Sequence, residues 1–248
     1  MEKSSKRTGF RMILYTLTLF MVVCCNLFPG SGVCTEAQIN SEEGHLISED
    51  RLQIILSNVE NNLGRINTLK TKLIQEKNIA LFSEPVLSQG ILLFKSPGNI
   101  RFEFFTPFQS VLLVDDHKVA TFEMFNGRWK QIDSGSKKMM GIILDHIAAW
   151  VKGQFNRDNL YRISGRYRQN SKRGCTIILE PRAKEFKNFI QAFELGINSD
   201  MDRLDYIIIR ESGNDYTKIS FFDDRINIPL DDIYFAGDIK LLSPVPQW

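Results

Sequence analysis

The sequence GILLFKSPGNIRFEF, from Gly90 to Phe104, indicates the type of fold. Its two apolar runs are separated by Ser96-Pro97-Gly98, a short turn signal. From Ile100 to Phe104 every other residue is apolar and those between are charged, which predicts a strand with one buried and one polar face. Because the turn leaves no room for a crossover helix, we expect an antiparallel hairpin.

Similar strand patterns continue on both sides of this hairpin. The turn signals between them, such as Pro107 and Asp115-Asp116-His117, are short, so the whole sheet is predicted to be antiparallel. The further strands are predicted at Leu69–Glu76, Ser110–Val114, Lys118–Phe125, Tyr161–Tyr167, Cys175–Glu180, Asn188–Ile197, Arg203–Glu211 and Tyr216–Phe222.

Two helices interrupt the strand pattern, which makes the fold class α+β. The first begins after Ser48, a suitable N-cap, and ends at Gly64, a C-terminal stop signal. It carries one apolar stripe, at Leu52, Ile55, Leu56, Val59, Leu63 and Ile66. The second spans about 136–152 and is more apolar than a surface helix usually is.

The first 37 residues have the layout of a secretory signal peptide. Four basic side chains, Lys3, Lys6, Arg7 and Arg11, precede a 14-residue apolar run from Met12 to Cys25. The run is shorter than the roughly 20 residues that cross a bilayer, which favours cleavage over a retained anchor. We therefore predict a signal peptide at 1–37, a flexible segment at 38–47, an ordered domain at 48–237 and a tail at 238–248.

Charge and chemistry exclude several function classes. Residues 1–37 hold four of the 31 basic and two of the 29 acidic side chains, so the remainder is balanced at 27 of each, which argues against nucleic-acid binding. The three histidines are far apart in sequence, and neither a metal motif nor a dinucleotide fingerprint is present. With no catalytic triad either, we expect no enzyme, metal or cofactor.

The apolar side chains exceed what one sheet face obviously needs. Eighteen Phe residues are present, and Met-rich helices adapt to varied apolar guests, so an adaptable cavity covered by the second helix is one interpretation. An ordinary packed core is the other. The predicted cavity residues are Leu69, Leu73, Leu92, Phe94, Ile100, Phe102, Phe104, Phe122, Met124, Phe189, Phe193 and Leu195, and the predicted lid residues are Met139, Met140, Ile143, Ile147 and Trp150.

The order of these motifs resembles that of the LolA family of periplasmic lipoprotein carriers. LIQE at 73–76 precedes GILLFKSPG at 90–98, VLLVDD at 111–116 follows Pro107, and ILEP at 178–181 resembles the family's Leu-x-Pro turn. The resemblance covers about 48–237. It implies an incomplete antiparallel β-barrel, a strongly curved sheet whose apolar concave face is capped by helices and holds acyl chains.

The resemblance also implies a transport role. Family members receive lipoproteins from an inner-membrane ABC transporter and pass them to an acceptor at the outer membrane, so we expect acylated lipoprotein cargo, a periplasmic location and a monomer. Two positions depart from the pattern: Ser96 stands where the family has an Arg associated with holding the lid closed, and His117 replaces a hairpin Gly. Lys95 and Arg101 are nearby candidates for the role of that Arg.

Because Ser96 departs from the family pattern, the identity of the cargo is not fixed by the resemblance. The alternatives are a carrier of another envelope lipid or glycolipid, and a periplasmic lipid-sensing domain that signals through a protein contact.

Overall fold

A computed structural model describes residues 44–115, 118–132, 137–155, 159–168, 174–211 and 213–237. The described helices are α1 (Glu49–Leu63), α2 (Lys137–Val151) and the short α3 (Lys184–Lys187). The strands are β1 (Thr68–Asn78), β2 (Val86–Lys95), β3 (Asn99–Thr106), β4 (Ser110–Asp115), β5 (Lys118–Phe125), β6 (Arg128–Ile132), β7 (Tyr161–Tyr167), β8 (Cys175–Pro181), β9 (Ile190–Ile197), β10 (Leu204–Glu211) and β11 (Tyr216–Ile226).

All eleven strands belong to one antiparallel sheet in the order β6-β5-β4-β3-β2-β1-β11-β10-β9-β8-β7. Pairing of β1 with β11 joins the two halves, and β6 and β7 form the two edges of a sheet that is not closed into a barrel. The predicted α+β class and the incomplete, curved antiparallel barrel are therefore confirmed.

Gly90 marks a bend in the centre of the sheet. The β2–β3 register shifts between Gln89 and Gly90. A Cβ added at Gly90 would lie 2.1 Å from the carbonyl oxygen of Glu103, so only glycine allows this approach. A bulge of this kind bends the strand locally and increases its twist.

The two faces of the sheet are covered differently. The face that we call the inner face packs with α1 and α2 into one large core that runs from β4 across to β8. On the opposite, outer face, the segment Leu230–Phe235 packs on Ile91 and Leu93, and a separate small cluster forms around Val111.

The helices are fixed by their apolar sides and by one close approach. Helix α1 buries Leu52, Ile55, Val59 and Leu63, four residues of the predicted stripe. Leu56 is partly buried, and Ile66 is buried but lies beyond the end of the helix. After α2, the chain turns at Gly153, whose φ is 75° and whose added Cβ would lie 2.7 Å from the Cα of Glu60 in α1. Glycine at this position lets the end of α2 lie directly against α1.

Several boundaries differ from the sequence-based expectation. Strand β6 was not predicted, and β2 begins at Val86 rather than Gly90. Residues 44–47, expected to be flexible, run along β7, where the Ile47 amide donates to the Gly165 carbonyl at 2.9 Å. The predicted signal peptide and C-terminal tail lie outside the described residues.

In the part of the chain that the structure describes, no helix combines the length and the apolar character needed to cross a bilayer.

Candidate functional site

Most of the predicted cavity residues lie together on the inner face. The predicted cavity residues that are buried in the core of the inner face are Leu69, Leu73, Leu92, Phe94, Ile100, Phe102, Phe193 and Leu195. The predicted residues of α2 that are buried in the same core are Ile143, Ile147 and Trp150. Phe104 and Phe189 are half-buried and pack against this core. Met139 and Met140 belong to α2, but their side chains lie outside the described residues.

Two predicted cavity residues lie on the wrong face. Phe122 is buried on the outer face with Val111, and Met124 is paired with Trp129, which packs against the same outer cluster. Because Phe122 and Met124 were assigned to the cavity, the residue between them, Glu123, was expected to point to water. The alternation of β5 instead turns Glu123 inward, because a second small apolar cluster on the outer face takes Phe122.

The apolar residues of β10 and β11 on the inner face were missed. Ile207, Ile209, Ile219 and Phe221 are buried in the inner core, and Leu73 of β1 is paired directly with Phe221. Their alternation was visible in the sequence, but only the β1–β11 pairing assigns them to the same surface as the β1 residues.

A crevice opens to solvent between the ends of α1 and α2. Its empty volume is about 360 Å³, part of which is open to solvent. The interior is apolar and the rim is polar. It is lined by Leu63, Ile66, Leu69, Thr71, Leu92, Val151, Asp202, Arg203, Leu204, Phe221, Asp224 and Ile226.

The rim of the crevice carries more acidic than basic charge. Arg203 Nε lies 3.0 Å from Asp205 Oδ1 and 3.9 Å from Asp224 Oδ2. Burial raises the pKa of Asp224, although the Thr71 hydroxyl and the Arg203 guanidinium oppose the shift. Asp224 Oδ1 is buried and has no hydrogen-bond partner among the described residues. The rim is therefore charged while the interior stays apolar.

A buried ion pair bounds the inner face at the other end of β1. Lys77 Nζ donates to Glu211 Oε1, which also accepts from Thr217 Oγ1 at 3.1 Å. Both charged side chains are more than nine-tenths buried. Burial raises the pKa of Glu211 and the Lys77 ammonium opposes this shift. The polar cluster limits the apolar surface to the stretch between it and the crevice.

Glu123 is a buried carboxyl without a partner. Its residue is 1% exposed, and neither side-chain oxygen has a hydrogen-bond partner among the described residues. Burial raises the pKa of Glu123 to about 7. It places a buried carboxyl group at the β5 side of the inner face.

Aromatic contacts hold α2 against the sheet. Trp150 packs edge-on against Phe193 with ring centroids 4.8 Å apart, and Tyr161 lies 5.9 Å from the same Phe193 ring. His146 stacks on Trp150 at 5.8 Å. Burial raises the pKa of the Tyr161 phenol, which therefore stays neutral in the physiological range.

Ser96 is linked to the end of α2 by Lys152, the residue that follows the helix. Lys152 Nζ donates to Ser96 Oγ at 3.2 Å. The two other candidates for the missing Arg face away: Lys95 binds the Leu230 carbonyl at 2.9 Å, and Arg101 binds the Tyr234 carbonyl at 2.9 Å, both on the outer face. The cation next to Ser96 is thus Lys152, which directly follows α2.

The described residues offer little metal or thiol chemistry. Among them, no three His, Cys, Asp or Glu side chains are grouped so that they could hold a metal ion. Cys175 is a free, buried cysteine, and burial raises the pKa of its thiol.

Comparison with known proteins identifies a family for the greater part of the chain. A sequence model described as "Outer membrane lipoprotein carrier protein LolA" matches residues 64–238. None of the curated proteins compared with the chain matches it.

Solved structures with a similar chain path are distant in sequence. A LolA superfamily protein from Nitrosomonas europaea is 12% identical, with coverage of 74% of this chain and 96% of that chain and a TM-score of 0.39. Lipoprotein LppX from Mycobacterium tuberculosis is 11% identical, with coverage of 74% and 99% and a TM-score of 0.44. LprF from Mycobacterium bovis is 14% identical, with coverage of 75% and 99% and a TM-score of 0.40.

Proposed function

Because the chain belongs to the family of the outer membrane lipoprotein carrier protein LolA, we propose that it sequesters lipoprotein acyl chains between the inner face and α2. In this proposal it receives lipoproteins from an inner-membrane ABC transporter and carries them through the periplasm to an outer-membrane acceptor. It acts as a monomer and breaks no bond. The observation that carries the proposal is a continuous apolar surface, roofed by two helices, with a crevice at one end.

The dimensions of the inner face suit an acyl chain. Leu69 lines the crevice and Lys77 belongs to the buried ion pair, and both lie on β1. Eight residue steps separate them, about 26 Å at roughly 3.3 Å per residue. An extended fatty acyl chain entering at the crevice has a comparable length, and the ion pair would form the end wall.

Loading requires α2 to move. The cavity volume inside the crevice is only about 20 Å³, room for about one water molecule, so no acyl chain fits there while α2 stays in place. Displacing α2 would expose Ile143, Ile147 and Trp150 together with the sheet residues beneath them. Each guest methylene that replaces these contacts contributes about 0.8 kcal/mol by leaving water, so a guest can hold the lid open.

Mass spectrometry of the material bound to the chain purified from its native cell envelope tests the proposal. Diacylglyceryl-cysteine peptides are the expected ligand. Phospholipid or glycolipid in their place would favour the alternative carrier. A protein that carries no acyl-bearing molecule and takes up none when it is incubated with lipoprotein would contradict acyl-chain sequestration.

A pair of neighbouring phenylalanines provides the control for this experiment. Phe104 is half-buried against the inner core, whereas Phe105 lies at the register shift of β3 and is exposed. We expect Phe104→Asp to reduce the bound lipid because it adds a charge to the apolar surface, and Phe105→Asp to leave it unchanged. Equal loss in both variants would indicate a general folding defect and not a site on the inner face.

A further inference from the structure

The inner face contains one carboxyl group that the packing of the protein does not explain. Phe122 of β5 packs on the outer face and Val119 packs in the inner core, so the alternation of the strand directs Glu123 inward. Glu123 is 1% exposed and both of its side-chain oxygens are without a hydrogen-bond partner among the described residues. Buried carboxyl groups are normally hydrogen-bonded or paired with a cation.

The surroundings of Glu123 connect it to the apolar surface used in the proposed function. Ser110 of β4 is its cross-strand partner, and Phe104 of β3 is the next partner in the same row. Phe104 and Phe102 stack with ring centroids 6.4 Å apart. A guest whose hydrocarbon chain lies on the Phe102 and Phe104 rings could place its polar end next to Glu123.

The basic residue that pairs with Glu123 across the strands does not neutralise the carboxyl group. Lys130 of β6 is paired with Glu123 across the strands, but its side chain is exposed and its Nζ lies over the Phe125 ring, 5.5 Å from the centroid. Above the raised pKa of about 7, Glu123 is therefore a negative charge that no described side chain compensates, on a surface suited to hydrocarbon.

We propose that Glu123 binds the protonated primary amine of an acyl-bearing guest. The inference rests on the proposed function, and it adds a selectivity for the head group of the guest. An ammonium supplies both the missing charge and hydrogen-bond donors, and hydrogen bonds between ionised groups are stronger than neutral ones. An ethanolamine-type head group and the free α-amine of a lipid-modified cysteine both present this chemistry.

Displacement of an apolar fluorescent dye by dodecylamine and dodecanol measures this selectivity. The two compounds have the same hydrocarbon chain and differ only in the head group. At about pH 8 the amine of dodecylamine is protonated, as the amine of Lys is, and Glu123 is ionised. We expect dodecylamine to displace the dye from the purified chain at a concentration lower by about tenfold or more, the effect of one charge-assisted hydrogen bond.

Variants assign the selectivity to the carboxyl group. Glu123→Gln and Glu123→Leu are both expected to bring the two concentrations within about twofold, while dodecanol binding is retained. Glu84→Gln, which removes an exposed carboxylate from the β1–β2 loop, is expected to keep the preference. A wild-type chain without preference for the amine, or a preference that survives in both Glu123 variants, would overturn the inference.

The experiment separates this inference from the function on which it rests. A chain that binds neither the dye nor either dodecyl compound contradicts acyl-chain binding itself, whereas equal binding of the two compounds contradicts only the role of Glu123. A synthetic diacylglyceryl-cysteine peptide with a free amine, its N-acetylated form and phosphatidylethanolamine then identify the source of the amine. The proposal requires the free-amine peptide to bind more tightly than the acetylated one, or phosphatidylethanolamine to bind with the same dependence on Glu123.

Discussion

Replacing Lys77 with Met is expected to lower the free energy of unfolding by about 3–5 kcal/mol, because it leaves Glu211 buried without its cation. The Thr217 hydroxyl can donate one hydrogen bond to the carboxylate but cannot neutralise its charge. Urea denaturation at neutral pH, followed by circular dichroism, measures the loss. The double variant Lys77→Met with Glu211→Leu removes both charges and is expected to recover most of it.

A second ion pair on the same strand supplies the control. Lys72 pairs with Asp223 at 2.7 Å, but the two side chains are 36% and 58% exposed. Exposed pairs of this kind contribute about 0–1 kcal/mol, so Lys72→Met is expected to have little effect. A loss below about 1 kcal/mol in Lys77→Met, or a double variant as unstable as the single one, would show that Lys77 does not compensate a buried charge on Glu211.

Replacing Glu123 with Gln is expected to remove a pH dependence of stability. The pKa of this carboxyl rises from its ordinary 4.5 to about 7 on folding, so between these values the folded state holds the proton more tightly than the unfolded state. The contribution is fully present below about pH 4.5 and is lost as the pH rises to about 7. At about 1.4 kcal/mol per pKa unit, the loss is about 3 kcal/mol.

The difference in stability between the wild type and Glu123→Gln at each pH reports on the Glu123 carboxyl alone, because all other titrating groups are present in both proteins. The stability of Glu123→Gln relative to the wild type is expected to rise by about 3 kcal/mol between about pH 4.5 and pH 8. Thermal or urea unfolding across that range provides the measurement. A difference that does not change with pH would mean that Glu123 is hydrated or paired in the folded protein.

The parts of the fold that depend on local pattern were predictable. The apolar stripe of α1 and the hairpin signals around Ser96-Pro97-Gly98 gave elements close to those observed, because both patterns follow directly from helix and strand geometry. The strand Lys118–Phe125 was also predicted with its observed limits. Period and turn chemistry were therefore sufficient for the antiparallel sheet.

The residues of β5 alone do not predict which of its side chains point to the inner face. Phe122 and Glu123 are adjacent, and the usual expectation directs the phenylalanine inward and the glutamate to water. The structure has the reverse because Val111 and Leu113 form an outer cluster that receives Phe122. That cluster depends on pairing between β4 and β5, and a single strand does not encode which of its faces will find an apolar neighbour.

The outer face illustrates the same difficulty for charged residues. Arg101 was expected at the surface but is 1% exposed, with its Nε donating to Glu103 Oε2 at 3.0 Å. The segment Leu230–Phe235, more than 120 residues further along the chain, covers it. Long-range coverage of this kind has no local sequence signal. The same applies to Lys152, whose contact with Ser96 joins positions that are 56 residues apart.

Quenching of Trp150 fluorescence by brominated acyl chains shows whether acyl chains bind between α2 and the inner face. Trp150 is buried between α2 and the inner face, whereas Trp129 packs on the outer face, so a chain that retains only one of them reports on one surface. Single-tryptophan variants are obtained with Trp248→Phe combined with Trp129→Phe or with Trp150→Phe. If acyl chains bind between α2 and the sheet, the brominated lipid quenches the fluorescence of Trp150 and leaves that of Trp129 unchanged. Unquenched Trp150 at saturating lipid, or quenching of Trp129 alone, would contradict binding of acyl chains at this place.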